Sequence, residues 1–407
     1  MIGPLWWLLL TVLLLVAGLS RQGPLFLFSL LLLFGSAASA LWARYCLAGI
    51  GYRRSLGSAR LNFGEETELT VEITNGKPLP LAWLRLQDEW PPEVPLLTGQ
   101  LEDSYKPERR LLENWLAMRW YERVRRVYRL RGAQRGAYTF GPLEMKSGDL
   151  FGFRSRSGTQ DTTDTLLVYP KLVPLDQWRL PSGRPLGEAL APRRLIPDPL
   201  RFAGVRDYIP GDNPRHIHWK NSARWRRLQT RVFDPEATQA LALVADVQTS
   251  DLGLFWIVPG YLELIISAAA SLADQALAER RAVGLFTNAT ATRQSGAVEV
   301  PIGRSPGQRL VLLEALARIR GYALLNLSAE DLLERLARSL PWGATVIVLS
   351  ARPHPGLQAA LLAVQDAGHA ATLLTVGPEP IEAPAGLAVH YLGDADAWEN
   401  LAALELD

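Results

Sequence analysis

The chain has 407 residues, 48% of them hydrophobic and 21% charged, with 43 basic against 41 acidic side chains and a formal net charge of +2. So much apolar mass excludes a disordered tail, and a single cysteine excludes a disulfide-stapled mini-protein. The mean hydropathy of +0.04 averages an apolar start and a charged remainder long enough for two or three domains.

Residues 1–43 form the apolar start. Met1 to Ser20 carries no charge, Arg21 stands alone, and Gln22 to Ala43 again carries none. Each stretch is close to the ~20 residues that an α-helix needs to cross a hydrocarbon core. Ser20-Arg21-Gln22-Gly23-Pro24 between them is a turn, so a transmembrane helical hairpin is predicted. Arg44, Arg53, Arg54 and Arg60 outweigh the lone Arg21, which predicts a multi-pass protein of the cytoplasmic membrane with its soluble domains on the cytoplasmic side. A cleaved signal peptide competes through Ala38-Ser39-Ala40, but there is no basic n-region and the apolar stretch is doubled. Cys46, beside the membrane boundary, has no histidine within the first 200 residues to make it a catalytic thiol.

Residues 52–178 alternate polar and apolar side chains with a period of two, most clearly over Glu68 to Thr74, which Asn75-Gly76 ends with turn chemistry. Leu81 to Leu86, Tyr121 to Leu130, Ala137 to Phe140 and Leu166 to Tyr169 are further predicted strands. Together they predict an antiparallel β-sandwich of immunoglobulin-like type. Residues 91–118 have weak periodicity and are predicted as an insertion in it.

Residues 179–239 comprise a proline-rich linker and the densest Arg/Trp segment of the chain. Within it Pro210-Gly211 suits a type II turn, and Asn213 caps a short helix that has Pro214 at its first position. Residues 240–407 change to strands alternating with helices. The strands are Leu241 to Ala245, Val283 to Phe286, Thr345 to Leu349 and Thr372 to Val376. Helices are predicted over Tyr261 to Arg281, Gln308 to Ile319, Ala329 to Ser339 and Leu357 to Ala367. That alternation predicts a doubly wound α/β sheet.

The order Arg206, Asp207, Tyr208, Pro210, Gly211, Asp212, Arg215, Ile217, Trp219, Ser222, Arg224 resembles the diagnostic segment of the bacterial and archaeal "domain of unknown function 58" family, which precedes a von Willebrand factor A-like domain. Arg135 to Pro142, Asp149 to Phe153 and the N-terminal hairpin extend the resemblance. It implies a membrane-anchored protein-interaction adaptor that works beside a MoxR-type AAA+ ATPase in the assembly or activation of a client.

An A-like fold would hold magnesium through an Asp-x-Ser-x-Ser loop, a Thr and a second Asp, because hard cations need converging oxygens. Here Asp246 and Ser250 match, Gln248 replaces the first serine, and Ser350-Ala351-Arg352 offers no second acid. A weak, degenerate site for magnesium is the expectation. His216-x-His218 lacks metal-ligand spacing.

From Arg193 to Asp234 there are ten Lys or Arg against four Asp, with Trp219 and Trp225 interleaved. The first expectation is a structural seam in which Arg pairs locally and the tryptophans fill the gap between two domains; an anionic lipid surface or an acidic partner would also suit that pattern. No nucleic-acid motif accompanies the charge, so nucleic acid is not an expected partner. No Gly-rich phosphate loop, G-x-S-x-G elbow or H-E-x-x-H occurs, so no catalytic residue is assigned and an enzyme is not expected. Two alternatives stay open. One is a cation-dependent hydrolase around Asp246, Asp207 and Asp212; the other is an envelope adhesion or receptor protein with its soluble domains outside.

Overall fold

The computed structural model describes residues 4–150, 152, 154–176, 197–209, 213–235, 240–250, 256–291, 296–323, 327–398 and 404–405. The chain divides into two compact units, Met1–Lys171 and Leu172–Asp407.

The first unit opens with helices α1 (Pro4–Leu19) and α2 (Gly23–Tyr45), joined by a turn in which Arg21 adopts a positive φ of 51°. At ~1.5 Å per residue α2 is ~34 Å long, and it is apolar and long enough to cross a membrane. The described part of α1 is a shorter apolar helix. Trp6 Nε1 donates to Ser36 Oγ at 3.1 Å and ties the two together. The helices belong to the same unit as the strands that follow because the end of α2 is built into the β core. Cys46 is fully buried in that core, with Trp42 and Leu47 packed against it. Ser39 Oγ donates to Asp149 Oδ2 at 2.8 Å, and Lys77 Nζ donates to the carbonyls of Cys46 and Ala48, both at 2.6 Å. Lys77 thereby satisfies carbonyls just past the end of α2, where a cation is favoured.

The strands are β1 (Ile50–Leu56), β2 (Arg60–Leu61), β3 (Glu66–Asn75), β4 (Leu81–Trp90), β5 (Glu102–Asp103), β6 (Arg110–Met118), β7 (Arg123–Arg131), β8 (Gly136–Phe140), β9 (Leu143–Gly148), β10 (Ser155–Gln160) and β11 (Asp164–Val168). They form sheets of order β1-β3-β7, β10-β9-β4-β6-β5 and β2-β11-β8. The first two are antiparallel throughout, and the third contains the parallel pair β2–β11. Alternate residues of β3 (Leu69, Val71, Ile73) and β4 (Leu84, Leu86, Trp90) enter one core, as period-two patterning requires.

The insertion expected over 91–118 needs correction, because its last nine residues are β6, paired with β4 along its length. The strand escapes a hydropathy reading because one inward position is Asn114 rather than an apolar residue. Asn114 is buried and its Oδ1 accepts from Arg126 Nη1 (2.5 Å) and Tyr128 Oη (2.6 Å).

The Arg135 to Pro142 stretch is also structural. Tyr138 Oη reaches the carbonyls of Gln134 and Arg135 at 3.0 and 2.9 Å, and Phe140 is fully buried edge-on against Trp90, with ring centroids 4.7 Å apart. Gly141 has φ +88°, and a Cβ there would lie 2.4 Å from the Thr162 carbonyl oxygen, so only glycine fits. Behind this stretch Arg54 is buried in ion pairs with Asp88 (2.5 Å) and Asp164 (2.7 Å). One of the four cations following α2 is therefore internal.

The second unit contains the short parallel pair β12 (Leu175–Asp176) and β22 (Leu404–Glu405) and the antiparallel pair β13 (Pro197–Asp207) and β14 (Gln229–Pro235). The linker expected from residue 179 thus gives way to a strand by residue 197; residues 177–196 lie outside those described.

Its main sheet uses β15 (Ala240–Ala245), β16 (Ala282–Ala291), β17 (Ala297–Gly303), β18 (Ile319–Ala323), β19 (Thr345–Ser350), β20 (Ala370–Val376) and β21 (Ala388–Gly393) in the order β17-β16-β15-β19-β20-β21, with β18 also on β16. The five strands from β16 to β21 in that order are parallel neighbours, while β17 and β18 are antiparallel to β16. Every residue of β15 and β19 is buried, as strands covered on both faces must be.

The helices are α3 (Trp219–Trp225), α4 (Pro259–Ala278), α5 (Gln308–Arg318), α6 (Ala329–Ser339) and α7 (Pro355–Asp366). From β15 the chain passes through α4 to β16 on one side; from β19 it passes through α7 to β20 on the other. Right-handed crossovers in opposite directions put α4 and α7 on opposite faces. Accordingly Leu357 and Leu361 of α7, with Leu332 and Leu336 of α6, join Ala242 and Val244 in one core. Apolar enough to resemble a membrane span, α4 is nevertheless mostly buried inside this unit. A doubly wound, mixed α/β architecture is what the alternating elements predicted.

Candidate functional site

In an open α/β sheet, ligands settle at the carboxyl ends of the strands where the strand order reverses. Here that point lies between β15 and β19. Asp246 follows β15, Ser350 ends β19, and Asn288 lies near the end of β16. Ser350 Oγ donates to Asp246 Oδ2 at 2.7 Å. Asp246 Oδ1 accepts from Asn288 Nδ2 (2.8 Å) and from the Gln248 backbone N–H (3.0 Å). Asn288 Oδ1 in turn accepts from the Val247 backbone N–H at 2.9 Å. Next along the loop, Thr249 Oγ1 accepts from the Val258 N–H at 2.8 Å.

Asp246 is 4% exposed. Burial pushes its carboxyl above the usual carboxylate range, against the pull of the bonds from Ser350 and Asn288 and of the Arg352 charge. Of about four acceptor sites on a carboxylate, three are taken by protein donors. Gln248 contributes its backbone N–H to Asp246; among the described residues no second carboxylate is paired with it and no group of three His, Cys, Asp or Glu side chains could hold a metal. This donor set does not fit a hard dication, which needs several free oxygens. Asn288 and Ser350 were not among the residues predicted for this place. The available signal was a polar Thr287-Asn288 step inside an apolar strand.

The Arg/Trp segment forms a second cluster, a knob on the β13–β14 hairpin. Asn213 caps a turn of 3-10 helix (Pro214–His216) by accepting from the Arg215 N–H at 3.1 Å. Ile217 is buried and bridges Thr230. His218 N-caps α3, its Nδ1 accepting from the Asn221 N–H at 3.2 Å, so this histidine serves as a helix cap. Ser222 pins α3 to β14: its Oγ donates to the His218 carbonyl (3.1 Å) and accepts the Gln229 N–H (2.8 Å). Replacing Ser222 by alanine is expected to cost about 1 kcal/mol, read as roughly fivefold faster hydrogen exchange at the Gln229 amide. An unchanged rate would mean that the bond does not hold the helix down.

Elsewhere in the segment, Arg206 Nη1 donates to the Asp207 carbonyl at 3.1 Å. The Asp207 carboxylate accepts from Gln229 Nε2 and lies 3.9 Å from Arg227 Nη1. Tyr208 donates its N–H to Leu228 at 2.9 Å. Arg215 and Arg224 are exposed. Pro210, Gly211 and Asp212, with the predicted type II turn, lie outside the described residues. Trp219 and Trp225 are 68% and 67% exposed, which corrects the expectation that they fill a gap. The described partners of Asp246 and those of the knob are separate sets, so a single constellation of Asp246 with Asp207 is not observed.

Residues 204–376 match the family described as "Protein of unknown function DUF58". An uncharacterized protein, YeaD, from Bacillus subtilis (strain 168) is 25% identical over 248 residues, 61% of this chain; the chain spans 58% of that relative's length. Among solved structures, the CARDB domain of a Pyrococcus furiosus protein is similar at 8% identity over 29% of this chain and 91% of that one, with a TM-score of 0.21. A non-cellulosomal cohesin from Archaeoglobus fulgidus is similar at 13% identity over 29% and 90%, with a TM-score of 0.19. The family similarity therefore rests on residues 204–376, under half of the chain, and on one distant Bacillus relative.

Proposed function

We propose that this chain is a membrane-anchored protein-interaction adaptor, held at the cytoplasmic face of the membrane by α1 and α2, whose second unit, read as a von Willebrand factor A-like domain, binds a protein partner. The partner class is a MoxR-type AAA+ ATPase acting on a client in assembly or activation. The observation that carries the adaptor reading over the hydrolase reading is the filled switch point. Asn288, Ser350 and the Gln248 N–H take three of the acceptor sites of Asp246 where an α/β enzyme would open its ligand crevice. Tethering is supported by the apolar side chains that α2 leaves exposed, Leu27, Leu31 and Phe34 among them. A soluble surface would rarely present so large a patch.

The test is co-purification of the detergent-solubilised full chain from native membranes, with and without ATP. Recovery of an AAA+ ATPase in stoichiometric amounts is the expected result. Repeated recovery of the intact chain without any ATPase would sink the proposed partnership. Digestion of the soluble units in intact, unpermeabilised cells would overturn the cytoplasmic orientation and favour the adhesion or receptor reading.

A further inference from the structure

Beyond the segment's local bonding, the knob on the β13–β14 hairpin has a surface left exposed among the described residues. From Arg215 to Arg231 the chain carries six Lys or Arg and no acid. Trp219 and Trp225 stand at the two ends of the seven-residue helix α3 with about two thirds of each side chain in solvent. Lys220 and Arg224, four residues apart on that helix, share one of its faces, and Arg226 and Arg227 follow at once; all four are exposed. Leu228, next in the chain, is also half exposed. Asp207, an acid beside this group among the described residues, already accepts from Gln229 and lies near Arg227.

The ground for holding such a surface still is internal. Ser222 and the His218 cap fix α3 to β14, and Arg226, in the left-handed conformation at φ +52°, closes the helix. The apolar and cationic side chains are thus presented by a fixed scaffold while their tips stay in water.

We propose that this knob is a second membrane contact, which takes anionic lipid headgroups with its Lys and Arg side chains while Trp219 and Trp225 enter the interfacial layer. The inference rests on the membrane-anchored reading above. Its chemistry is that of an interface. Tryptophan prefers the headgroup level, where an apolar ring and a polar N–H are both served. Long cationic side chains lay their stems on apolar surface and keep their charge at the phosphates. The surface potential of an anionic leaflet attracts each added cation within a Debye length, ~8 Å at physiological salt. A contact too weak to hold a free protein suffices for one already tethered, because the anchor raises the local concentration of headgroups to the millimolar range or above (~10⁻³ M).

The experiment uses the full chain reconstituted into phosphatidylcholine vesicles, and into vesicles with about a third phosphatidylserine. Hydrogen exchange is read over residues 213–231. We expect slowing of about tenfold or more in the phosphatidylserine vesicles alone, reversed at ~1 M salt and absent in the variant Lys220→Glu, Arg224→Glu. Both substituted side chains are exposed, and intact exchange protection of β15 and β19 confirms that the variant is folded. Equal exchange in the two vesicle types would overturn the proposal. So would protection of 213–231 by a soluble polyglutamate but not by phosphatidylserine vesicles, which would assign the surface to an acidic protein instead. Resistance of the chain to alkaline extraction from pure phosphatidylcholine vesicles reads the anchor separately. An extractable chain whose 213–231 segment is still protected by phosphatidylserine would lose the anchor and keep the knob.

Discussion

Replacing Arg54 with methionine is expected to cost the first unit about 3–5 kcal/mol, because it breaks a buried ion pair from one side. Arg54 is fully buried. Its Nη1 donates to both oxygens of Asp88 (2.5 and 2.6 Å), its Nε to Asp164 (2.7 Å), and its Nη2 to the carbonyls of Phe140 (3.1 Å) and Thr162 (3.0 Å). Methionine would leave Asp88 with the Tyr52 hydroxyl, which donates to it at 2.6 Å, and would strip two carbonyls of a donor. Local stability can be read from exchange of the β4 amides, where a loss of ~3 kcal/mol means more than ~100-fold acceleration. Burial already pushes the Asp88 carboxyl above its ordinary range, with Arg54 opposing. In the variant that opposition is gone, so the deficit should shrink as pH falls and Asp88 takes up a proton. The double change Arg54→Met, Asp88→Leu should recover much of the loss. An exchange rate in the single variant equal to wild type would show that the pair does not support the sheet.

At the switch point, Asp246→Ala and Asp246→Asn should part company. Alanine removes the acceptor for Ser350 Oγ, Asn288 Nδ2 and the Gln248 N–H, each left buried or half-buried at a cost of about 1–3 kcal/mol. Asparagine has the same shape. Its oxygen can accept from Gln248 and Asn288, and its amide can donate to Ser350 Oγ, which already accepts the Arg352 N–H at 2.9 Å. The sign of the pH dependence follows from the raised folded-state pKa of Asp246, which burial causes. Stability from this group is complete below the unfolded value, ~3.9, and is lost as pH rises through the higher folded value. Wild type should therefore lose stability on going up from about pH 4, and Asp246→Asn should lack that slope. Thermal unfolding of the full chain followed by exchange at β15 and β19 checks both statements. Magnesium provides the counter-test: stabilisation of wild type by the cation, lost in Asp246→Asn, would restore the cation-dependent reading.

How much of this was legible in the sequence depended on whether a position answers to its neighbours along the chain. The runs Leu241 to Ala245 and Thr345 to Leu349 declared buried parallel strands, because strands covered on both faces have no polar alternation to preserve. The period-two stretch at Glu68 to Thr74 declared β3, and Asn213-Pro214 declared a capped turn, since a cap needs only residues two or three apart. Strand β6 was not legible, because Asn114 occupies a core position that Arg126 and Tyr128 make acceptable from another strand.

The sequence by itself therefore determined the apolar N-terminal helix, the β-rich region, the α/β alternation and the basic Arg/Trp segment, all of which rest on local periodicity, capping and charge. Only the tertiary structure decided what the polar residues within those elements do. Asp246 could be read as a cation ligand until Asn288 and Ser350, 42 and 104 residues away, were seen to take its oxygens. Trp219 and Trp225 could be read as filling a gap until the pinning of α3 by Ser222 left them in solvent. The reason is the same in each case: a buried polar group must find its partners in space, and those partners come from strands that hydropathy along the chain cannot pair.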